Sequence, residues 1–328
     1  MNLFVSHISA LRYWRREEGL GTSEPAPIDS LADAVASTKD AKQLLAKKHD
    51  LPQTAAHPLH VLLPTKASRR YAKSLIPHVW RTELPADAFR QVAPHLFVSS
   101  PEFVFVQMAS KLTLVELAQL GNELCGGYYL RQITGFGKHE QNKSLTTKAQ
   151  LEDFVERVPK ARGAKKALHA LRWITNHCNS PMETNVLLML CLPTRMGGWQ
   201  LPIPKVNSSK KVGSRLARYV GSTEYTPDFL WEIKGNGKTI RVTAEYDSSE
   251  HHDEDNDAQH TRIRRNDMKA MGYLVTSINA KQVAEARLFQ YPARQIARDL
   301  GIYRRALSDN SLGKQNDLIS QLQRERFR

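Results

Sequence analysis

The sequence predicts an α+β N-terminal region followed by an α/β domain with a mixed central sheet flanked by helices. Three observations carry that reading. Between residues 58 and 98, short apolar runs are separated by Pro64, Pro77, Pro85 and Pro94, the punctuation of short strands. Helix-start signatures follow at Ser100-Pro101, Thr113 and Ser180-Pro181. Last, a strand-turn-strand phrase around Gly235-Asn236-Gly237 precedes an Arg-rich segment and a further β-run, Gly272-Tyr273-Leu274-Val275.

Composition sets the outer bounds. The 328 residues make about two domains, and 41% hydrophobic with 8% aromatic content is enough for a buried core, which excludes a disordered chain. The net charge of +14 and pI near 9.7 favour a polyanionic partner: nucleic acid first, an acidic protein second. Cys125, Cys178 and Cys191 are odd in number and lack metal-ligand spacing, so they read as reduced, buried thiols of a cytosolic protein. No apolar run reaches membrane-spanning length, and the first residues lack the apolar core of a signal peptide. A cytoplasmic protein without a membrane partner is expected.

Taken in order, Ile8 to Arg16 reads as a short amphipathic helix whose Arg12, Arg15 and Arg16 either contact phosphate or form a solvated face around Trp14. A second helix is predicted from about Asp29 to Lys48. Strands are expected at Leu59–Leu63, Val79–Thr82 and Leu96–Val98. Helices should start at Ser100 and, with a capping box, at Thr113, the latter ending at Gly126-Gly127. Residues 145–176 look helical and carry Lys160, Arg162, Lys165, Lys166 and Arg172, a phosphate track or an exposed face. A boundary near His177-Cys178-Asn179-Ser180 divides residues 1–176 from a second domain, 177–306, with a basic tail at 307–328. Residues 281–328 hold ten Lys/Arg against five Asp/Glu, which adds phosphate affinity. Ala293 to Ile302 is similar to the first helix and turn of a helix-turn-helix, a packing helix being the plainer reading.

The chemistry concentrates in the hairpin. Its second strand places Ile240, Val242, Ala244 and Tyr246 on one face and Arg241, Thr243, Glu245 and Asp247 on the other. Glu245 and Asp247 are therefore about 7 Å apart on the same side, and Asp228, at the far end of the first strand, is paired toward them. Three convergent carboxylates make a hard-oxygen site suited to Mg²⁺ or Mn²⁺. Such an ion activates phosphodiester hydrolysis, with His251 as the proton-transfer group. The plainer alternatives are a turn-forming Asp228, a wet edge strand for Glu245 and Asp247, and a surface histidine.

Pro227-Asp228, Glu245-Tyr246-Asp247, His251, Arg264-Arg265-Asn266-Asp267-Met268 and Gly272-Tyr273-Leu274-Val275 together resemble the very-short-patch-repair-like endonucleases of the PD-(D/E)XK nuclease superfamily. Ser180-Pro181-Met182-Glu183 resembles that family's leading helix, so the similarity spans about residues 180–280. It implies a restriction-endonuclease-like second domain that cuts DNA, RNA being the alternative substrate, with Asp228, Glu245 and Asp247 on the metal. Glu183 is then either a supporting active-site carboxylate or the helix's capping glutamate. Arg262 and Arg265, at i and i+3, hold a scissile phosphate or pair with the acidic loop. Lys210, Lys211 and Arg215 are expected along the nucleic acid. The chain departs from the pattern where Asp247 replaces the superfamily's lysine and Ser248 a glycine. Those departures leave open a second reading, a non-catalytic nucleic-acid-binding or toxin-neutralising protein on an inactive nuclease scaffold. Val98 to Glu102 and the helix around Leu114–Leu120 weakly resemble the AbiEi-type antitoxins, which implies a defence context and a protein partner of toxin–antitoxin type.

Overall fold

The computed structural model describes residues 2–15, 24–25, 28–34, 51, 53–66, 72–130, 138–140, 144–212, 217, 223–235, 238–247, 255–303 and 308–324. The chain divides into two compact units, residues 1–174 with 325–328 and residues 175–324.

In the first unit the elements run β1 (Leu3–Val5), α1 (His7–Trp14), β2 (Glu24–Pro25), β3 (Leu59–Leu63), β4 (Leu75–Val79), β5 (Phe89–Ala93) and β6 (Leu96–Ser99). They continue with α2 (Pro101–Ala109), α3 (Leu114–Leu124), β7 (Tyr128–Leu130), β8 (Lys138–Glu140), α4 (Lys148–Arg157) and α5 (Ala164–Ala170). The main sheet is mixed, in the order β2-β5-β6-β1-β3-β4, with β1 parallel to β6 and β3 parallel to β4. Apolar on both faces, β1 takes an interior place, its three residues 0% exposed. Phe4 stacks on Phe97 and meets Phe89 edge-on, both at 4.7 Å. Every residue of helix α2 is buried, and all but Glu102 and Gln107 are apolar, as suits a core helix.

Local chemistry sets the helix starts. Ser100 Oγ accepts from Phe103 N at 3.2 Å, and Thr113 and Glu116 close a reciprocal capping box. Other expectations need correction. The strand expected at Val79–Thr82 lies earlier, at Leu75–Val79, and contains Pro77. It is tolerated because β4 ends the sheet, where a missing N–H breaks no ladder. The helix expected from Asp29 begins as a 3₁₀ turn, Ile28–Asp33, and its continuation over 35–48 falls outside the described residues. Residues 145–176 break into α4, α5 and a 3₁₀ turn, with Gly163 at φ +100° between the helices.

At the α1 side of the sheet three histidines meet. His7 and His78 stack at 3.7 Å, and His78 Nε2 lies 3.0 Å from His60 Nδ1. Burial lowers His7 well below 6.5, with His78, His60 and Lys111 adding to it. Burial first, then Arg12 and Lys111, brings His60 down to about 4. The unfolded chain therefore takes up protons before the folded one. This contribution is whole above pH 6.5 and is lost as the pH falls toward 4. Urea melts followed by Trp fluorescence should show His60→Gln losing about 1 kcal/mol less than wild type between pH 7 and 4.5. Parallel profiles would remove His60 from the acid response.

The second unit runs α6 (Pro181–Cys191), β9 (Lys205–Val206), β10 (Lys210–Lys211), β11 (Glu224–Tyr225), β12 (Phe229–Gly235), β13 (Lys238–Asp247) and α7 (Asp255–Ala270). It ends with β14 (Tyr273–Asn279), α8 (Ala280–Ala284), α9 (Ala286–Asp299) and α10 (Asp309–Gln323). Its sheet has the order β14-β13-β12-β9. β9, β12 and β13 are successively antiparallel, and β14 returns parallel to β13 after the α7 crossover. Gly272, at φ +81°, makes the turn from α7 into β14. The hairpin pairs Gly235 with Lys238; Asn236-Gly237, expected at its tip, lies outside the described residues.

Strand β13 is interior, so the wet edge strand, the plainer alternative for Glu245 and Asp247, does not occur. Val242, Thr243 and Ala244 are all 0% exposed and Glu245 is 6%. Helices α6 and α9 both contact it. The segment expected as a basic tail instead contains α10, whose Leu318 and Ile319 are buried and which packs on α6 and α9. That helix comes so close to Gly197 that a Cβ there would sit 2.3 Å from Lys314 O. All three cysteines are buried thiols, none of them in a disulfide; burial pushes the Cys178 thiol up to about 12. Among the described residues no helix is long and apolar enough to cross a membrane.

Candidate carboxylate site

Register brings the two central acids together. β12 pairs Phe229 with Ala244, so the preceding residue, Asp228, falls opposite Glu245. Asp228 N donates to Glu245 Oε1 at 3.3 Å, and Tyr246 N donates to Asp228 Oδ2 at 2.7 Å. Glu245 is nearly sealed from solvent. Burial, and then the charge of Asp228, push its carboxyl up to about 8, against the pull of Arg264 and Arg265.

Helix α7 supplies the cations. Arg264 Nη2 lies 3.0 Å from Glu245 Oε2 and also donates to the carbonyl of Thr226. One guanidinium thus ties the strand that carries Glu245 to the approach to Asp228. Its neighbour Arg265 donates to Asp247 Oδ2. Tyr225 OH donates to Asp267 Oδ2 at 2.5 Å, a third tie between α7 and the start of the hairpin. Burial and that carboxylate raise the phenol to about 12.

The three carboxylates expected to converge therefore divide into a facing pair, Asp228 and Glu245, and a third, Asp247, held by Arg265. Glu183 does what its capping position predicts. Asn179 N, Ser180 Oγ and Asn207 Nδ2 donate to its carboxylate at 2.8, 3.0 and 2.7 Å. It still borders the pair, because Asn207 N donates to the Asp228 carbonyl at 3.0 Å. Lys210 is directed away from an open phosphate track: with Lys205 it pairs with Glu232, at 3.1 and 2.7 Å. Those two lysines draw the Glu232 carboxyl down to about 2. Lys211 stays exposed on β10. His251, Arg215 and the side chain of Arg262 lie outside the described residues.

No protein-family model matches the chain, nor does any curated protein or solved structure. The site must be read from its own chemistry.

Among the described residues no group of three or more His, Cys, Asp or Glu is arranged to hold a metal ion. The Asp228–Glu245 pair nevertheless suits Mg²⁺, which commonly takes one or two carboxylates and completes its shell with water and phosphate oxygens. Burial first, and then the charge of Asp228, raise Glu245 to about 8, and a cation set between the two acids would favour its ionised form. Sequence reasoning passed over Arg264 and Asn207 as site residues. Arg264 lay inside the quoted Arg-rich phrase, whereas nothing local marks Asn207, which acts through a contact 24 residues from Glu183.

Proposed function

We propose that the second unit is a Mg²⁺-dependent endonuclease that hydrolyses phosphodiester bonds in DNA. The observation carrying this reading is the pairing of buried Glu245 with half-buried Asp228 at one end of the hairpin, with Arg264 reaching Glu245 from the crossover helix and Arg265 holding Asp247 beside it. The order of parts agrees with the resemblance to the very-short-patch-repair-like nucleases: a leading helix with Glu183, then Pro227-Asp228, the Glu245-Tyr246-Asp247 strand, an Arg-rich helix and a parallel last strand.

Asp228 and Glu245 would hold Mg²⁺ or Mn²⁺, whose contribution when bound is to polarise the phosphodiester and acidify water. Arg264 favours the ionised form of Glu245 and fixes its direction. Arg265, shared with Asp247, places a second guanidinium at the same strand end, where an incoming phosphate meets it. His251, four residues past Asp247 in sequence, is assigned the proton transfer by its chemistry alone.

A second reading has its own support. Arg264 and Arg265 already neutralise Glu245 and Asp247, which suits a scaffold that binds nucleic acid, or neutralises a toxin partner, without cutting. One incubation of the purified protein with supercoiled and single-stranded DNA, in Mg²⁺, in Mn²⁺ and in EDTA, separates the two. Nicking that requires the divalent ion supports the endonuclease. Salt-sensitive binding with no nicking in either metal leaves only the binding protein.

A further inference from the structure

Helix α9 has a face that neither its sheet contacts nor the carboxylate pair uses. Its buried side is Ala286, Phe289, Ala293, Ile296 and Ala297. At about 100° per residue, Arg287, Tyr291, Arg294 and Arg298 fall within roughly 60° of arc on the opposite side. Tyr291 is 70% exposed, and Tyr303, just past the helix, is 85% exposed. Arg287 and Arg298 are exposed; Arg294 is half-buried and donates to Gln290 Oε1 at 2.7 Å. The acids of this region lie off the stripe. Glu285 sits at the N-cap, and Asp299, flanking the arc, accepts from Gln295 at 2.8 Å.

Charge and ring together select the partner. Three arginines spread over about 16 Å of helix axis match the phosphates of about five stacked nucleotides. Arginines alone suit a duplex or an acidic protein equally well. The ring of an outward tyrosine in their midst adds something only if the partner offers an open π-face, which an unpaired base does and a stacked base pair does not. A carboxylate takes the hydroxyl's hydrogen bond, as Asp267 takes that of Tyr225, but leaves the ring face unused.

We propose that the Arg287–Tyr291–Arg294–Arg298 face of α9, extended by Tyr303, binds single-stranded nucleic acid, with phosphates on the guanidinium groups and bases on the tyrosine rings. The face is independent of the Asp228–Glu245 chemistry and is read by binding alone, in EDTA.

The test is fluorescence anisotropy of the full-length protein with a labelled oligothymidine and with a duplex of equal length, in EDTA over a salt series. Tyr291→Ala should weaken oligothymidine binding about tenfold and leave duplex binding unchanged, while Tyr291→Phe restores it. Arg287→Ala with Arg298→Ala should weaken both ligands and reduce the slope of log K against log salt for the single strand by about 1.4. Unchanged circular-dichroism melting would show that the variants fold. Wild-type binding by folded Tyr291→Ala overturns the proposal, as does absence of oligothymidine binding at low salt. Displacement by polyglutamate as effective as by unlabelled oligothymidine also overturns it and assigns the face to an acidic protein. Failure to nick DNA leaves this inference standing and removes only the endonuclease.

Discussion

Glu245→Gln should reduce Mg²⁺-dependent nicking of supercoiled DNA by at least about 10²–10³-fold, the cost of deleting a charged group aimed at a reacting centre. It should leave the unit folded, because glutamine keeps the volume of the side chain. A second readout needs no substrate. In EDTA the folded protein holds a proton on Glu245 up to about pH 8, whereas the unfolded chain releases it near 4.5. The folded state thus binds more protons across that window. The contribution of Glu245 to stability is whole below pH 4.5 and is lost as the pH rises toward 8, by at most about 1.4 kcal/mol per unit. Glu245→Gln should flatten this slope in urea melts, and Mg²⁺ should flatten it in wild type. Full nicking by the variant would remove the pair from the mechanism. Slopes equal in both proteins would mean that Glu245 is not the group titrating.

The largest effect on stability is expected in the first unit. Arg15, at the end of α1, donates from Nε and Nη2 to the two carboxylate oxygens of Glu123, each at 2.7 Å. The side chains are 3% and 5% exposed, and Glu123 Oε1 also accepts from Leu130 N at 3.1 Å. Glu123→Ala would strand a buried guanidinium and a backbone N–H, a loss of about 3–5 kcal/mol. Replacing both partners by apolar residues should recover most of it, because a buried ion pair often does no more than offset its own desolvation. Equilibrium denaturation of the two variants checks this. A loss below about 1 kcal/mol for Glu123→Ala would show that water reaches Arg15.

Much of the local structure was legible because its causes are local. Ser100, Thr113 and Ser180 each cap the helix they announce, since a cap needs only a side-chain oxygen and an N–H three residues on. The β12–β13 pairing followed from the alternation around Gly235-Asn236-Gly237, and the approach of Asp228 to Glu245 followed from that pairing. The Ser180-Pro181-Met182-Glu183 phrase also contained the capping role that Glu183 performs.

What no segment encodes by itself was decided by neighbours far along the chain. Whether β13 is an edge or an interior strand depends on β14, which pairs with it only after the α7 crossover. That placement buried Glu245, and burial is what moves its proton affinity. The fate of each cation was likewise set in three dimensions. Arg264 went to Glu245 and Thr226, Arg265 to Asp247, and Lys210 to Glu232, although in sequence all three are simply basic. The same holds for α9, whose period fixed one apolar and one basic face while packing on β13 and β14 chose which was covered. Sequence determines the local preferences and the order of the acids and bases. Only the folded sheet sets the distances and dielectric that turn them into a carboxylate pair at a strand end and an exposed arginine–tyrosine stripe on α9, because Coulomb energy and desolvation depend on separation in space and not along the chain.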